Sequence, residues 1–242
     1  MYELKPEEAR ARFAAWQLSN PADPLGLAAE AASYLFEECY RQGILTSAFF
    51  LNDKLFLGKV PITPDAALRQ AFFAADLQAQ AVARRRLETF PEDANALFAM
   101  TLSVGMQADY ASLIDKHQVE SLSMVREANQ FAQKLLAVDP DAADAYLTLG
   151  AANYIIGSLP ALKRVFLHFR GVSGDRVLGI QQLEIAAARG RYLRPFAKIV
   201  LALVALREKQ PALARTQLME LVAEFPQNPI FAKELATLDA SH

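Results

Sequence analysis

Glu127-Ala128-Asn129-Gln130-Phe131-Ala132-Gln133-Lys134-Leu135-Leu136-Ala137-Val138-Asp139-Pro140 is the stretch from which the architecture of this chain can be read. Its apolar residues recur at helical spacing, a small residue stands at Ala128, and a proline closes the run twelve positions later. The same interval separates Ala9 from Pro21, Ala79 from Pro91, and Ala214 from Pro226. A small residue lets a second helix approach closely, and a proline stops the helix that carries it, so the recurrence marks a repeated helical unit.

Other positions keep the same register. Six residues beyond three of the prolines stand the bulky side chains Leu27, Leu97 and Tyr146, and small residues recur at Ala31, Thr101, Gly150 and Ala202. The run Ala145-Tyr146-Leu147-Thr148-Leu149-Gly150-Ala151-Ala152-Asn153-Tyr154-Ile155-Ile156-Gly157 has the composition of a first helix in such a hairpin, with Gly150 where the neighbouring helix would touch its backbone. Together these residues resemble the tetratricopeptide repeat (TPR), a helical hairpin of about 34 residues. The resemblance implies an all-α fold, a solenoid of helical hairpins wound as a right-handed superhelix, with inserted helices.

In this register the chain is one TPR-like domain: a half-repeat at 1–21, repeats at about 22–91, 92–140, 141–194 and 195–226, and a capping helix at 229–238. The half-repeat is a second helix without its first, packed through Ala9, Phe13 and Trp16. A stacked array that opens on an orphan helix would expose an apolar stripe. The natural chain is therefore expected to extend upstream, to a first helix behind an export signal.

Three hairpins are longer than the repeat requires. Tyr34 to Ala79, Val104 to Ala128 and Asn153 to Gly179 carry about 36, 15 and 17 residues beyond the compact spacing of nine, which Ala205 to Ala214 keeps. The first insertion holds Ile44, Leu45, Phe49, Phe50, Leu51, Leu55, Phe56, Leu57, Val60 and Ile62, too apolar for a solvated loop. Beyond Pro64 a helix is expected, with Thr63 or Asp65 near its cap. The third insertion, Ser158 to Leu178, holds Leu159, Leu162, Val165, Phe166, Leu167 and Phe169 before a turn at Gly171-Val172-Ser173-Gly174-Asp175.

A shorter stretch, about 169–206, is similar to the tetratricopeptide repeat protein 39 family. The likeness is carried by Phe169, Gly171, Ser173-Gly174-Asp175-Arg176, Gly179, Leu183, Ala186-Ala187 and Arg194-Pro195. That family's members are mostly helical proteins without an established enzymatic activity, some of them connected with lipid handling. The resemblance implies a non-catalytic adaptor or a lipid-linked role. Arg191 stands where the twelve-residue rule from Gly179 would place a proline.

Composition narrows the function classes. The chain of 242 residues is 53% apolar with a formal net charge of −2, which offers no electrostatic footprint for nucleic acid. The most apolar run, Ile199 to Leu206, is eight residues between Lys198 and Arg207, too short to span a membrane. A soluble protein is expected, periplasmic if an upstream signal has been removed. One cysteine, Cys39, makes neither an internal disulfide nor a metal site, and reads as a buried helix residue.

No catalytic signature is present: no His-Glu-x-x-His, no phosphate-binding glycine loop, no Gly-x-Ser-x-Gly. His117, His168 and His242 are scattered, and Arg84-Arg85-Arg86 reads as a solvated helix face. Neither enzyme activity, nor a metal, nor a cofactor is expected. Arg189, Arg191 and Arg194, just before a helix starting near Pro195, form a candidate anion site.

The TPR resemblance also implies which residues line the concave groove: Leu35 and Phe36; Phe98, Leu102 and Met106; Leu147, Ala151, Tyr154 and Ile155; then Phe196, Ile199 and Leu203. The carboxylate clamp of lysines, arginines and asparagines used by chaperone-tail adaptors is absent there. So apolar a surface needs covering, and two arrangements compete. Either the insertions fold back and fill the groove, or they roof a cavity. The expected function is non-enzymatic protein or peptide binding, a scaffold or adaptor; the alternative is a carrier or sensor for an apolar small molecule or lipid.

Overall fold

Proline decides where four helices stop. In the computed structural model, which describes residues 1–58, 62–161, 164, 167–168 and 171–240, helices end at Ser19, Thr89, Val138 and Glu224, each two residues before Pro21, Pro91, Pro140 or Pro226. The residue before a proline cannot keep α conformation without a clash, so the last turn closes one residue earlier. Val60, Leu162, Val165, Phe166, Phe169 and His242 lie outside the described residues.

The described residues are all-helical, with no strand among them, and form two compact units, 1–138 and 139–242. The first contains α1 (Pro6–Ser19), α2 (Pro24–Arg41), the short α3 (Ser47–Leu51) and α4 (Asp53–Phe56), α5 (Ala66–Thr89), α6 (Ala94–Asp109), a π-helical turn (Tyr110–Ile114) and α7 (Gln118–Val138). Neighbours pack in succession, α1 on α2, α2 on α5, α5 on α6 and α6 on α7, and α2 also meets α6. The second contains α8 (Ala145–Gly157), α9 (Arg176–Arg189), α10 (Arg194–Arg207), α11 (Pro211–Glu224) and α12 (Pro229–Ala240), again packed in succession.

The alanines chosen from the spacing are all buried: Ala9, Ala79, Ala128 and Ala214. So are the small residues of the first helices, Ala31, Thr101, Gly150 and Ala202. Phe13 is half-buried as its packing position requires, whereas Trp16 is 53% exposed, because its indole Nε1 donates to Asp23 at 2.7 Å while its ring edge rests against Gly26.

The first insertion contributes two short helices, and the long α5 begins beyond it. Asp65 caps α5 by accepting from the N–H of Ala67 and Leu68, Thr46 caps α3, and Asn52 caps α4. The second insertion adds no separate element; it lengthens α6 through the π-helical turn and extends α7.

In the second unit the α8–α9 crossing is built on glycine. A Cβ on Gly179 would lie 2.5 Å from the Tyr154 nitrogen and 2.8 Å from the Gly150 carbonyl oxygen, and a Cβ on Gly150 would lie 2.9 Å from the Gly179 oxygen. Backbone atoms cannot yield as a side-chain tip would. Gly179→Ala is therefore expected to cost about 1–2 kcal/mol, overcoming the ~1 kcal/mol that alanine ordinarily gains inside a helix. Gly105 in α6 has nothing within 4 Å of its own added Cβ. Gly105→Ala should accordingly stabilise by roughly 0.5–1 kcal/mol. Urea denaturation of both variants checks this, and shifts of the same sign would remove the packing explanation.

Candidate functional site

The apolar positions assigned to the first helices divide by burial. In the first unit Leu35, Phe98 and Met106 are buried, while Phe36 and Leu102 are half-buried, Phe36 meeting the Tyr2 ring edge-on at 6.1 Å. Leu35 and Met106 share one core cluster with Ile44, Phe49, Phe72, Tyr110 and Ile114, and Leu45, Phe50, Leu55, Phe56 and Ile62 pack against it. At these two positions the first insertion supplies the covering side chains.

In the second unit Leu147 and Tyr154 are core residues, packed with Leu183, Ala186, Leu201 and Val204. The Tyr154 hydroxyl donates to Glu208 Oε1 at 3.0 Å, and Arg176 pairs with the other oxygen of that carboxylate at 3.3 Å. Burial, together with the Glu208 carboxylate, pushes the Tyr154 phenol up to about 12. Tyr154 is thus committed to its own fold. Ala151, Phe196, Ile199 and Leu203 are half-buried, and Ile155 is 40% exposed.

The arginine cluster has a carboxylate of its own. Asp144, at the start of α8, is 6% exposed, and its oxygens accept from the N–H of Arg191 (3.0 Å), Tyr192 (3.1 and 3.2 Å) and Leu193 (2.8 Å), the segment that leads into α10. An added Cβ on Gly190 would stand 2.8 Å from Asp144 Oδ1, so glycine leaves room for the carboxylate. Arg189 pairs with Asp141 at 2.6 Å, Arg194 pairs with Glu224 at 2.8 Å, and Arg191 lies over the Tyr192 ring at 5.0 Å. Asp141 and Glu224 thus pair with the Arg189 and Arg194 guanidiniums, while Asp144 takes the backbone N–H groups of residues 191–193.

Two buried polar groups of the first unit carry no signature in the sequence. Asp76 on α5 is fully buried, and its Oδ2 accepts from Gln80 Nε2 at 3.0 Å and from Gln107 Nε2 at 2.7 Å. Burial pushes its carboxyl up to about 6, opposed by Gln80, Ser103 and Gln107. Lys116 follows the π-helical turn with φ 59°, a left-handed conformation uncommon for a side chain of its size. Its buried ammonium donates to the Leu55 carbonyl at 2.9 Å and lies 5.0 Å from the centre of the Phe49 ring. Desolvation holds the Lys116 pKa below the usual lysine range. Beside it Arg69 pairs with Asp115 at 2.6 Å and stacks over Phe73 and Tyr110.

The remaining candidates take structural roles. Burial drives the Cys39 thiol well above the usual cysteine range, leaving it an inert core residue. His117 pairs with Glu120 at 3.1 Å on the surface, His168 is exposed, and Arg84, Arg85 and Arg86 all face solvent. Among the described residues no group of three or more His, Cys, Asp or Glu side chains is placed to hold a metal ion, and no helix is long and apolar enough to cross a membrane. Half-buried and exposed apolar side chains stand on helices held in place by buried crossings. No protein-family model matches the chain, and no curated protein matches it.

Proposed function

We propose that this protein is a TPR-like solenoid whose helices bind another protein or peptide, with no chemistry of its own. The observation that carries the proposal is the burial of small residues at every repeat position, Ala9, Ala79, Ala128 and Ala214 in one set of helices and Ala31, Thr101, Gly150 and Ala202 in the other. Helices so packed form rigid hairpins whose remaining apolar positions are spare for recognition. Ile155, with Ala151 one turn earlier on α8, belongs to that spare set, and a helical partner would meet it with anchors spaced i, i+3, i+4 and i+7.

The test begins with cross-linking of the purified protein to its partner and measurement of their affinity. Ile155→Asp should weaken binding by at least about tenfold while the circular-dichroism melting curve stays unchanged, since the side chain is already partly in water. Undiminished affinity would remove α8 from the binding surface. The lipid-carrier reading is checked on the same sample by native mass spectrometry, where a small-molecule adduct lost on denaturation would replace the protein partner.

A further inference from the structure

The first insertion is held differently from the helices around it. Helix α3 has five residues and α4 has four, each too short to persist by itself, so their order comes from docking. Within α3 only Phe49 is buried, α4 buries no residue, and Leu51, Asn52, Asp53 and Lys54 face solvent. Phe49, Phe50 and Phe56 pack on one another, with ring centres 5.3 Å apart for Phe49–Phe50 and Phe50–Phe56 and 6.4 Å for Phe49–Phe56. The three rings make a small aromatic body.

The flanks of this body are anchored separately. Gln42 Nε2 donates to the Thr63 carbonyl at 2.8 Å, Glu38 accepts from the Asp65 N–H at 3.2 Å, and Arg41 pairs with Asp65 at 2.6 Å. The ends of α2 and α5 are therefore joined by contacts that involve no residue of α3 or α4. Lys116 reaches both short helices, its ammonium lying against the Phe49 ring and donating to the Leu55 carbonyl.

We propose that α3 and α4 form a displaceable cover over the apolar core around Leu35 and Met106, latched by Lys116, and that this cover occupies the place of a partner's short amphipathic helix with paired aromatic anchors. The partner half rests on the binding function proposed above; the cover itself does not. Lifting α3 and α4 would open the cluster that holds Leu35, Met106, Tyr110 and Ile114. Such local opening below the global unfolding free energy is how packed domains expose binding surfaces.

Hydrogen exchange read by mass spectrometry tests the cover without any partner. The reporters are the amides of Leu55, Phe56 and Leu57, bonded at 2.9 Å to the carbonyls of Asn52 and Asp53. In the wild-type protein they should exchange on the order of 100-fold faster than the amides of α2 and α6, with a rate insensitive to low urea. Lys116→Met, which keeps the aliphatic stem, should speed them about tenfold more and leave α2 and α6 unchanged. Lys116→Gly, which removes the side chain and relaxes the left-handed backbone, should do the same.

Wild-type reporters that exchange in step with α2 and α6, or reporters unmoved in both variants, would overturn the latch. If either variant unfolds, the wild-type rates decide alone. For the partner half, a fluorescent peptide of residues 46–57 should bind Lys116→Met about tenfold more tightly than wild type, because the built-in copy competes less. Equal binding, or none, would overturn it. Failure of the exchange experiment leaves the scaffold proposal standing, and loss of the Ile155 effect leaves the cover standing.

Discussion

Replacing Asp144 with alanine is expected to remove about 2–4 kcal/mol of stability from the second unit. The side chain is short and buried, and it gathers the N–H groups of Arg191, Tyr192 and Leu193 onto one carboxylate. Ordinarily a residue at the start of a helix caps its own first turn. Here Asp144 makes no cap on α8 and instead holds the segment entering α10, 47 to 49 positions further along the chain. Alanine would leave these three backbone donors without the carboxylate that gathers them. Asparagine would keep part of the geometry without the charge, so Asp144→Asn should cost about half as much. Urea denaturation measures both, and hydrogen exchange should show faster amides at residues 191–193. Two variants indistinguishable from wild type would mean the carboxylate contributes no more to the folded state than water does.

Asp76→Asn should stabilise the first unit at neutral and alkaline pH, by about 1–3 kcal/mol. An unperturbed aspartate ionises near pH ~3.9, whereas burial raises Asp76 to about 6 in the folded protein. Between these two values the folded state holds a proton that the unfolded state has released. The contribution of this group is therefore complete below the unfolded pKa and is lost as pH rises through the folded one. Above that range the fold carries an ionised carboxylate in its interior, supported by Gln80 and Gln107. Asparagine accepts the same hydrogen bonds from the two glutamines without that charge. The stability difference between variant and wild type should be small at pH 4, grow through pH 5 and 6, and level off above 7. A difference independent of pH would show that Asp76 ionises in the fold as readily as in water.

Helix termini and crossings were legible because they depend on the nearest neighbours along the chain. Pro21, Pro91, Pro140 and Pro226 act on the residue before them, and Ala79, Ala128 and Ala214 are small wherever the chain goes; all three alanines are buried. The density of phenylalanines and leucines between Ile44 and Ile62 likewise called for burial; Ile44 and Phe49 are buried, Leu45, Phe50, Leu55, Phe56, Leu57 and Ile62 are half-buried, and Leu51 is exposed. Of Thr63 and Asp65, both expected near the cap beyond the first insertion, Asp65 is the residue that caps α5.

The candidate site was legible only as a set of positions. Leu35, Met106, Leu147 and Tyr154 look alike to Ile155 in an apolar pattern, yet the first four are enclosed and the last is open. Arg189 and Arg194 suggested an anion site because local charge suggested one; the acids that engage them, Asp141 and Glu224, lie 48 and 30 residues away. Lys116 beside Asp115 and His117 read as part of a polar turn, and nothing in that tripeptide says that an ammonium 61 residues from Leu55 will bind its carbonyl.

By itself the sequence determined that the described residues are helical, where their helices end at proline, which small residues are enclosed and that the first insertion packs on a core. These follow from steric rules acting over a few residues and from the hydrophobic cost of leaving phenyl rings in water. Tertiary structure alone decided which acid neutralises which base, which carboxyl is raised by burial and which apolar position stays open, because dielectric environment and hydrogen-bond partnership belong to residues brought together from distant parts of the chain.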